Sequence, residues 1–166
     1  MNVAVLSDTH IPSRATAIPE AFRQRIRDAD HVIHAGDFDS EGAFETVRSL
    51  ATELTAVAGN MDPEIGLPAV TTVELDGVEF VVTHGAGSKR THERRVIQTI
   101  NEHATTENPV GITGHTHEVV DTRSGGIRLL NPGSATGAMP AARTTMMTVT
   151  TADGTVEVTV QESETV

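Results

Sequence analysis

Seven side chains with oxygen or imidazole donors lie at the ends of predicted strands in this chain. They occur in the segments Asp8-Thr9-His10, Gly36-Asp37, Gly59-Asn60, His84-Gly85 and Gly114-His115-Thr116-His117. The donor set contains no thiolate, because the sequence has no cysteine. Such ligands suit two divalent ions, with Mn²⁺ as the first expectation and Ni²⁺, Fe²⁺, Zn²⁺ or Mg²⁺ as alternatives. Two ions held about 3.5–4 Å apart form a centre for phosphoester hydrolysis, which is the chemistry that the pattern predicts.

The spacing of the donors supports this prediction. Asp8 and His10 are separated by one residue, and if the chain is extended there, both side chains point the same way and reach one ion. Asp37 has two carboxylate oxygens, which makes it the natural ligand to bridge two ions. Each segment alone is also typical of a turn, a helix cap or a surface loop. The recurrence of a strand, a glycine and a donor is what indicates a metal site beyond the carboxyl ends of strands.

Hydrophobic patterning predicts the elements that must position these donors. The predicted strands are 2–7, 31–35, 53–58, 70–75, 78–83, 109–113, 118–122, 127–130, 144–150 and 155–161. Asp76-Gly77 and Asp153-Gly154 are hairpin signals. The first strands alternate with helices, which predicts parallel strands with right-handed crossovers. Two sheets packed face to face, with helices outside, would accommodate the α/β first part and the β-rich second part.

Three helices are predicted between these strands. The first begins at Pro19 and has an apolar face of Ala21, Phe22, Ile26 and Ala29. The second is capped by Ser40 and runs to about Leu50, and the third is capped by Ser88 and runs through about Glu102. Residues 162–166 are predicted to be a loose tail.

Length and composition predict a single domain spanning residues 1–166. The 166 residues suffice for a substantial core, and the mean hydropathy is −0.17. The sequence contains no apolar run near the roughly 18 residues needed to span a bilayer. The first residues lack the basic flank and cleavage pattern of a signal peptide, so a cytoplasmic location without membrane association is expected.

The chain is strongly acidic, with a formal net charge of −11 and a pI near 5.0. Binding of nucleic acid through a basic surface is therefore disfavoured. Lys89 is the only lysine, and excess carboxylate with almost no lysine resembles proteins from salt-loving archaea, whose self-repulsion is screened at high ionic strength. The alternative is an ordinary acidic protein from a GC-rich genome.

In combination, these segments resemble the calcineurin-like metallophosphoesterase family. The similarity is strongest to its small single-domain bacterial and archaeal phosphodiesterases. The matching segments are Ser7-Asp8-Thr9-His10, Gly36-Asp37, Gly59-Asn60-Met61-Asp62, Thr83-His84-Gly85, Gly114-His115-Thr116-His117 and Asn131-Pro132-Gly133-Ser134. They occur in the family's order from residue 3 to about residue 134. The resemblance implies a four-layer α/β/β/α sandwich of two mixed sheets flanked by helices.

The resemblance also implies a role for each donor. Asp8, His10 and His117 match the ligands of one metal, and Asn60, His84 and His115 match those of the other. Asp37 matches the bridging carboxylate, and with Asn60 and His84 it is also assigned a catalytic role. A water or hydroxide between the ions would then attack phosphorus in line.

One position departs from the family pattern. Many members carry a histidine directly after the Gly-Asn motif, where it helps the leaving group depart, and here that residue is Met61. Methionine cannot exchange a useful proton, so activity is expected to depend on leaving-group acidity.

Several other polar residues are predicted to have supporting roles. His34 is expected to be packed or to orient a ligand, and Arg14 to be a solvated loop residue, with contact to a substrate phosphate as the alternative. Asn131 and Ser134 are expected to hold a loop beneath the site. His31, His92 and His103 are interpreted as structural or exposed.

The predicted function is therefore metal-dependent phosphodiester hydrolysis of a small phosphoester substrate. The resemblance leaves open a homodimer or homotetramer. A non-catalytic protein-binding scaffold is the alternative, because one family relative is a trafficking subunit whose site lacks some ligands. A metal-dependent nuclease is a third possibility that the acidic balance disfavours. The presence of every expected ligand favours an enzyme.

Overall fold

A computed structural model describes residues 1–164 of the chain. The strands within this range are β1 (Asn2–Leu6), β2 (His31–His34), β3 (Leu54–Ala56), β4 (Val70–Leu75), β5 (Val78–Thr83), β6 (Val110–Ile112), β7 (Val119–Ser124), β8 (Ile127–Pro132), β9 (Thr144–Ala152) and β10 (Thr155–Ser163). The helices are α1 (Glu20–Asp28), α2 (Glu41–Leu50) and α3 (His92–His103), with a 3₁₀ turn at Lys89–Thr91. No helix within the described range is long and apolar enough to cross a membrane.

The strands form two mixed five-stranded sheets. The first has the order β10-β9-β1-β2-β3, and the second has the order β4-β5-β6-β8-β7. Strands β1, β2 and β3 run parallel, as do β5, β6 and β8, whereas β9, β10, β4 and β7 pair antiparallel with their neighbours. Parallel strands end at the same edge of a sheet, so the loops that follow them are brought together.

Alternating side chains divide the core into layers. On β1, Val3 and Val5 face a cluster shared by both sheets, whereas Ala4 and Leu6 face the cluster beneath α1 and α2. On β5, Val81 faces the cluster beneath α3. These faces follow from the two-residue period of a strand. The result is the expected four-layer α/β/β/α sandwich.

Strand ends differ from the predicted ones by a few residues, and three predictions about the helices and the tail were wrong. Ser88 does not cap a long helix through its side chain, because a 3₁₀ turn precedes α3. In α1, Ala21 is exposed, and the buried positions are Phe22 and Ile26. Part of the predicted tail is strand, since β10 continues to Ser163 opposite β9. Residues 165–166 of that tail lie outside the described range.

Ser40 caps α2 as predicted and also ties the helix to the loop after β1. Its hydroxyl oxygen accepts a hydrogen bond from Ala43 N at 3.1 Å, and the hydroxyl donates to Ile11 O at 2.7 Å. The cap thereby fixes α2 beside the loop that carries the first two donors.

Glu79 on β5 anchors the segment that leads from α3 to β6. Its carboxylate accepts four hydrogen bonds of 2.7–3.0 Å from the backbone N–H groups and hydroxyls of Thr105 and Thr106. Burial opposes its ionisation, but these bonds outweigh burial and lower the pKa of Glu79 to about 2. The carboxylate is therefore a structural acceptor in its charged form.

Replacing Glu79 with glutamine should lower the free energy of unfolding by about 2 kcal/mol at neutral pH, because an amide cannot accept all four bonds. The folded pKa lies below the ordinary value of 4.5, so this stabilisation is present above about pH 4.5 and is lost as the pH falls toward 2. Denaturant unfolding at pH 7 and pH 3 measures the difference, with the exposed Glu157→Gln as control. An equal difference between variant and wild type at both pH values would contradict the assignment.

Candidate metal centre

The seven predicted donors lie together where five strands end. Asp8 and His10 follow β1, Asp37 follows β2, Asn60 follows β3, His84 follows β5, and His115 and His117 follow β6. Backbone hydrogen bonds join these loops, for example from Asp8 N to Gly36 O at 3.0 Å and from Gly114 N to His84 O at 3.3 Å. The donors therefore come from loops that are fixed to one another.

The first group of donors consists of Asp8, His10 and His117. Their ligand atoms all lie within 4.8 Å of one another, and all three side chains are buried. Asp8 Oδ1 is 3.4 Å from His117 Nε2 and 3.7 Å from His10 Nε2. One carboxylate and two imidazoles thus face a common point.

The second group consists of Asp37, His84 and His115, whose ligand atoms also lie within 4.8 Å of one another. Asp37 Oδ2 is 3.1 Å from His84 Nε2, and Asn60 Oδ1 is 3.2 Å from His115 Nδ1. Asp37 Oδ2 is also 3.5 Å from His10 Nε2 of the first group. The structure brings together all seven predicted residues, and Asp37 lies between the two groups.

Hydrogen bonds fix which nitrogen of each histidine carries its proton. His84 Nδ1 is 2.7 Å from Ala35 O, and His117 Nδ1 is 2.7 Å from Ala138 O. A carbonyl oxygen can only accept, so Nδ1 donates in both rings. When the rings are neutral, their Nε2 lone pairs point into the centre.

Hydrogen bonds also determine which ring nitrogen faces the centre in His10 and His115. His10 Nδ1 lies 2.7 Å from the carboxylate of Asp39, which leaves Nε2 directed at the centre. In His115 the order is reversed, because Nε2 lies 2.7 Å from Gly87 O and Nδ1 faces Asn60. Both rings are thus oriented by acceptors outside the two donor groups, as in metal sites whose outer partners orient the ligands.

The donor atoms that face the centre present lone pairs, which a bound cation would satisfy. His10 Nε2 and His117 Nε2 are 3.1 Å apart, and neither neutral ring has a proton to place between them. Asp8 Oδ1 and His84 Nε2 are buried with no hydrogen-bond partner among the described residues. Unpaired buried polar atoms are costly, and a divalent ion in each group would satisfy them. The residues therefore fit two metal ions.

Electrostatic coupling shifts the two central carboxylates toward their charged forms. Burial alone would raise the pKa of Asp8, but the adjacent imidazoles of His10 and His117 outweigh it and lower that pKa below its usual range. Burial likewise opposes ionisation of Asp37, and its interaction with His84 lowers its pKa. Both carboxylates are ionised and able to bind a cation at neutral pH.

The same coupling raises the pKa values of two imidazoles, which favours their charged forms as well. Burial would lower the pKa values of His10 and His84, but the neighbouring carboxylates Asp8 and Asp37 raise both. Without an ion, the centre therefore retains protons that a metal must displace.

Five of the seven donors have a left-handed backbone. The φ angles are 53° at Asp8, 46° at His10, 61° at Asp37, 71° at His115 and 60° at His117. The expectation of an extended chain at Asp8 and His10 was therefore wrong, although their side chains do converge. Non-glycine residues with positive φ are strained and cluster at functional sites.

Asp62 holds the loops of the second group in place. Its carboxylate accepts from Gly59 N at 2.7 Å and from the backbone N–H groups of Asp37 and Asp39 at 2.9 Å.

The sequence interpretation assigned no role to Asp39, which orients His10. The Asp37-Phe38-Asp39 spacing is a signal that could have suggested it.

His34, Asn131 and Ser134 have the supporting positions predicted from sequence. His34 is fully buried, stacks on Phe38 with ring centroids 3.6 Å apart, and belongs to neither donor group. Burial lowers the pKa of His34 to about 3, so the ring is neutral. Asn131 donates to Gly114 O at 2.9 Å, and Ser134 donates to Asp8 O at 2.7 Å, so both hold loops beneath the centre.

Comparisons with known proteins agree with this geometry. Residues 1–154 match the model of the calcineurin-like phosphoesterase superfamily domain. The chain is 35% identical over 138 residues to a probable metallophosphoesterase of Methanothermobacter thermautotrophicus, covering 82% of this chain and 78% of that protein. It is 32% identical over 136 residues to a probable metallophosphoesterase of Methanocaldococcus jannaschii, covering 82% of this chain and 69% of that protein.

Among solved structures, the fold is similar to Vps29 of Entamoeba histolytica in complex with Zn²⁺. The TM-score is 0.77 at 25% identity, and the match covers 98% of this chain and 99% of that one. The same fold thus occurs in a predicted phosphoesterase of Streptococcus pneumoniae and in Vps29.

Proposed function

Because this chain belongs to the calcineurin-like phosphoesterase superfamily, we propose that it is a phosphodiesterase that works with two divalent metal ions. The observation that carries the proposal is the pair of oriented imidazoles, His10 and His117, whose Nε2 atoms lie 3.1 Å apart beside the unpaired Asp8 Oδ1. Such an arrangement of lone pairs and a carboxylate suits a cation.

Each donor has a distinct part in holding the ions. Asp8, His10 and His117 would hold one ion, Asn60, His84 and His115 would hold the other, and Asp37 would contact both. Asn60 offers a neutral oxygen, so it binds without adding negative charge opposite an anionic substrate. When bound, the ions would lower the pKa of a water molecule. They would also supply positive charge that offsets the negative charge developing on the phosphoryl oxygens. Mn²⁺ is our first candidate, and Ni²⁺, Fe²⁺, Zn²⁺ and Mg²⁺ also suit these donors.

The direct test is hydrolysis of bis(4-nitrophenyl) phosphate by metal-stripped protein. We expect activity to return on addition of Mn²⁺ or another suitable ion, and to be lower for the 4-nitrophenyl monoester. The assay should be run at low and at multimolar salt, since the charge of −11 favours folding at high ionic strength. A folded protein that stays inactive with every metal and at every salt concentration would refute the proposal.

A non-catalytic scaffold is the second candidate, and the likeness to Vps29 is the observation that favours it. Against it stands the completeness of both donor groups. In the same assay, a protein that binds metal tightly but hydrolyses neither ester would support the scaffold.

The side chain at position 61 determines whether a proton donor is available to the leaving group. Its side chain is 44% exposed, and its backbone N–H donates to Asp37 Oδ1 at 2.8 Å. The side chain therefore lies at the rim of the centre and supplies no proton.

Replacing Met61 with histidine should raise turnover of diesters with poor leaving groups by about 10-fold or more, since a positioned acid typically contributes 10²–10⁴-fold. Nitrophenyl esters should change little, because their leaving groups depart without a proton. The measurement is the slope of log kcat against leaving-group pKa, with Met61→Gln as control. An unchanged slope would show that proton donation is not limiting.

A further inference from the structure

The imidazole of His115 is oriented by a loop that packs against helix α3. Its Nε2 donates to Gly87 O at 2.7 Å, and this bond leaves Nδ1 facing Asn60. Gly87 belongs to the Gly85–Ser88 loop, which lies between β5 and the 3₁₀ turn that precedes α3. His115 is only half-buried, unlike the other histidine and carboxylate donors. The position of Gly87 O therefore matters for the direction in which this ring points.

Arg95 of α3 fixes the Gly85–Ser88 loop at both of its ends. Its Nη2 donates to Gly85 O at 2.8 Å and to Ser88 O at 3.3 Å, and its Nη1 donates to Ser88 O at 3.2 Å. Nη1 also donates to Thr91 Oγ1 at 2.9 Å, which holds the guanidinium beside the start of α3. One side chain thus joins the two ends of the loop that presents Gly87 O to His115.

The middle of the loop lies directly against this guanidinium. A Cβ at Gly87 would be 3.0 Å from Arg95 Cζ and 3.1 Å from its Nη2, and the φ angle there is 121°. Glycine is therefore the residue that allows the loop to approach Arg95 so closely. Among the described residues, the hydrogen-bond partners of the Arg95 side chain are loop carbonyls and Thr91, and none is a carboxylate.

His92, three residues earlier on the same face of α3, supports the beginning of the loop. Its Nδ1 donates to Gly85 O at 2.9 Å, and its Nε2 lies 3.4 Å from Thr113 Oγ1. The hydroxyl of Thr113 in turn donates to His84 O at 3.0 Å. The His92 ring also stacks on that of His115, with centroids 6.0 Å apart. The first turn of α3 therefore supports both imidazoles of the second donor group.

The imidazoles of the first donor group are held by other parts of the chain. His10 is oriented by the carboxylate of Asp39, and His117 by Ala138 O. Neither acceptor is hydrogen-bonded to the side chain of Arg95. Only the proposed bridging carboxylate is common to the two groups. A change at Arg95 should therefore affect one ion site more than the other.

We propose that Arg95 is a positioning residue for the second metal ion, because it fixes the loop carbonyl that orients His115. This inference rests on the two-ion part of the proposed function. Outer partners that orient a ligand contribute strongly to metal affinity, so the second ion should bind tightly only while the loop is held in place. Arg95 acts through the loop and takes no part in bond cleavage.

The test is Mn²⁺ binding by metal-stripped protein. Calorimetry gives the affinity of each ion, and electron paramagnetic resonance distinguishes a single bound Mn²⁺ from a coupled pair. We expect Arg95→Gln to weaken the second ion by about 10–100-fold, as loss of an outer partner usually does, and to leave the first ion unchanged. The control Arg94→Gln removes the same charge from the neighbouring, exposed helix position and should bind both ions as the wild type does.

Gly87→Ala tests the same contact from the side of the loop. The added Cβ would press on the guanidinium of Arg95, and a φ of 121° is strained for alanine, so the loop should shift and the second ion should again be weakened. Gly126→Ala, in the turn between β7 and β8, is the matched control, because its φ is 81° but no heavy atom would lie within 4 Å of the Cβ. If Arg95→Gln does not fold, Gly87→Ala decides the question by the same criteria.

Because metal binding needs no turnover, this experiment separates the inference from the proposed function. Selective loss of the second ion supports the inference even if the wild type hydrolyses neither nitrophenyl ester, in which case only the phosphodiesterase proposal fails. The inference is overturned if the variant weakens both ions equally, if it binds the second ion as tightly as the wild type, or if the wild type binds only one ion. Any hydrolysis that had been measured would stand in each of these cases.

Discussion

Asp37→Asn should abolish metal-dependent hydrolysis while leaving the fold intact. Asp37 Oδ2 faces both donor groups, at 3.1 Å from His84 Nε2 and 3.5 Å from His10 Nε2, so a neutral amide weakens both ion sites at once. The loss should exceed the roughly 10–100-fold effect of removing an outer partner of a ligand. Asparagine can keep the acceptor for Met61 N, so the loop should stay ordered.

The measurements for this variant are bound metal per chain, kcat and the melting temperature. Asp28→Asn, which alters an exposed carboxylate at the end of α1, is the matched control. If the purified Asp37→Asn protein turned over at the wild-type rate, the bridging assignment would be wrong.

Gly59→Ala should disrupt the metal centre by steric overlap, without changing the charge of any ligand. A Cβ at Gly59 would lie 2.1 Å from Asp37 Oδ1 and 2.4 Å from Asp37 N, and the backbone atom cannot rotate away. The substitution should therefore displace the bridging carboxylate, lower metal affinity and activity, and cost about 1–3 kcal/mol of stability, as overpacking usually does.

Gly42→Ala is the matched control, because an alanine side chain at this position meets no neighbouring atom. Gly42 lies in α2, and no heavy atom would lie within 4 Å of its Cβ. Alanine is favoured over glycine within a helix by about 0.5–1 kcal/mol, so this variant should be slightly stabilised and fully active. Metal titration and thermal unfolding of the two variants would distinguish them, and wild-type metal binding by Gly59→Ala would contradict the close approach of Gly59 to Asp37.

Local patterns in the sequence were sufficient to predict the elements, because their signals act over a few residues. Asp76-Gly77 connects β4 to β5 and Asp153-Gly154 connects β9 to β10, as the hairpin signals indicated. The start of α3 was misjudged because Ser88 is a good cap in isolation, yet its side chain makes no cap bond in the folded chain.

The clustering of the donors was predictable from sequence, as were the loop contacts of Asn131 and Ser134, but most of the other supporting contacts were not. The family resemblance divided the donors between two ions, and the structure groups the same residues in space. The left-handed backbone at His10 is imposed by tertiary contacts, such as the hydrogen bond from its N–H to Asp37 O at 3.1 Å. Asp39 and Ala138 orient His10 and His117 through contacts distant in sequence, which no local pattern encodes.

Each donor group draws on both sheets of the sandwich. Asp8 and His10 belong to the first sheet and His117 to the second, and Asp37 is likewise paired with His84 across the interface. A bound ion would therefore add a link between two sheets that meet mainly through apolar side chains. Because an ion that binds only the folded chain adds its binding free energy to stability, metal loading and the integrity of the sandwich are thermodynamically coupled.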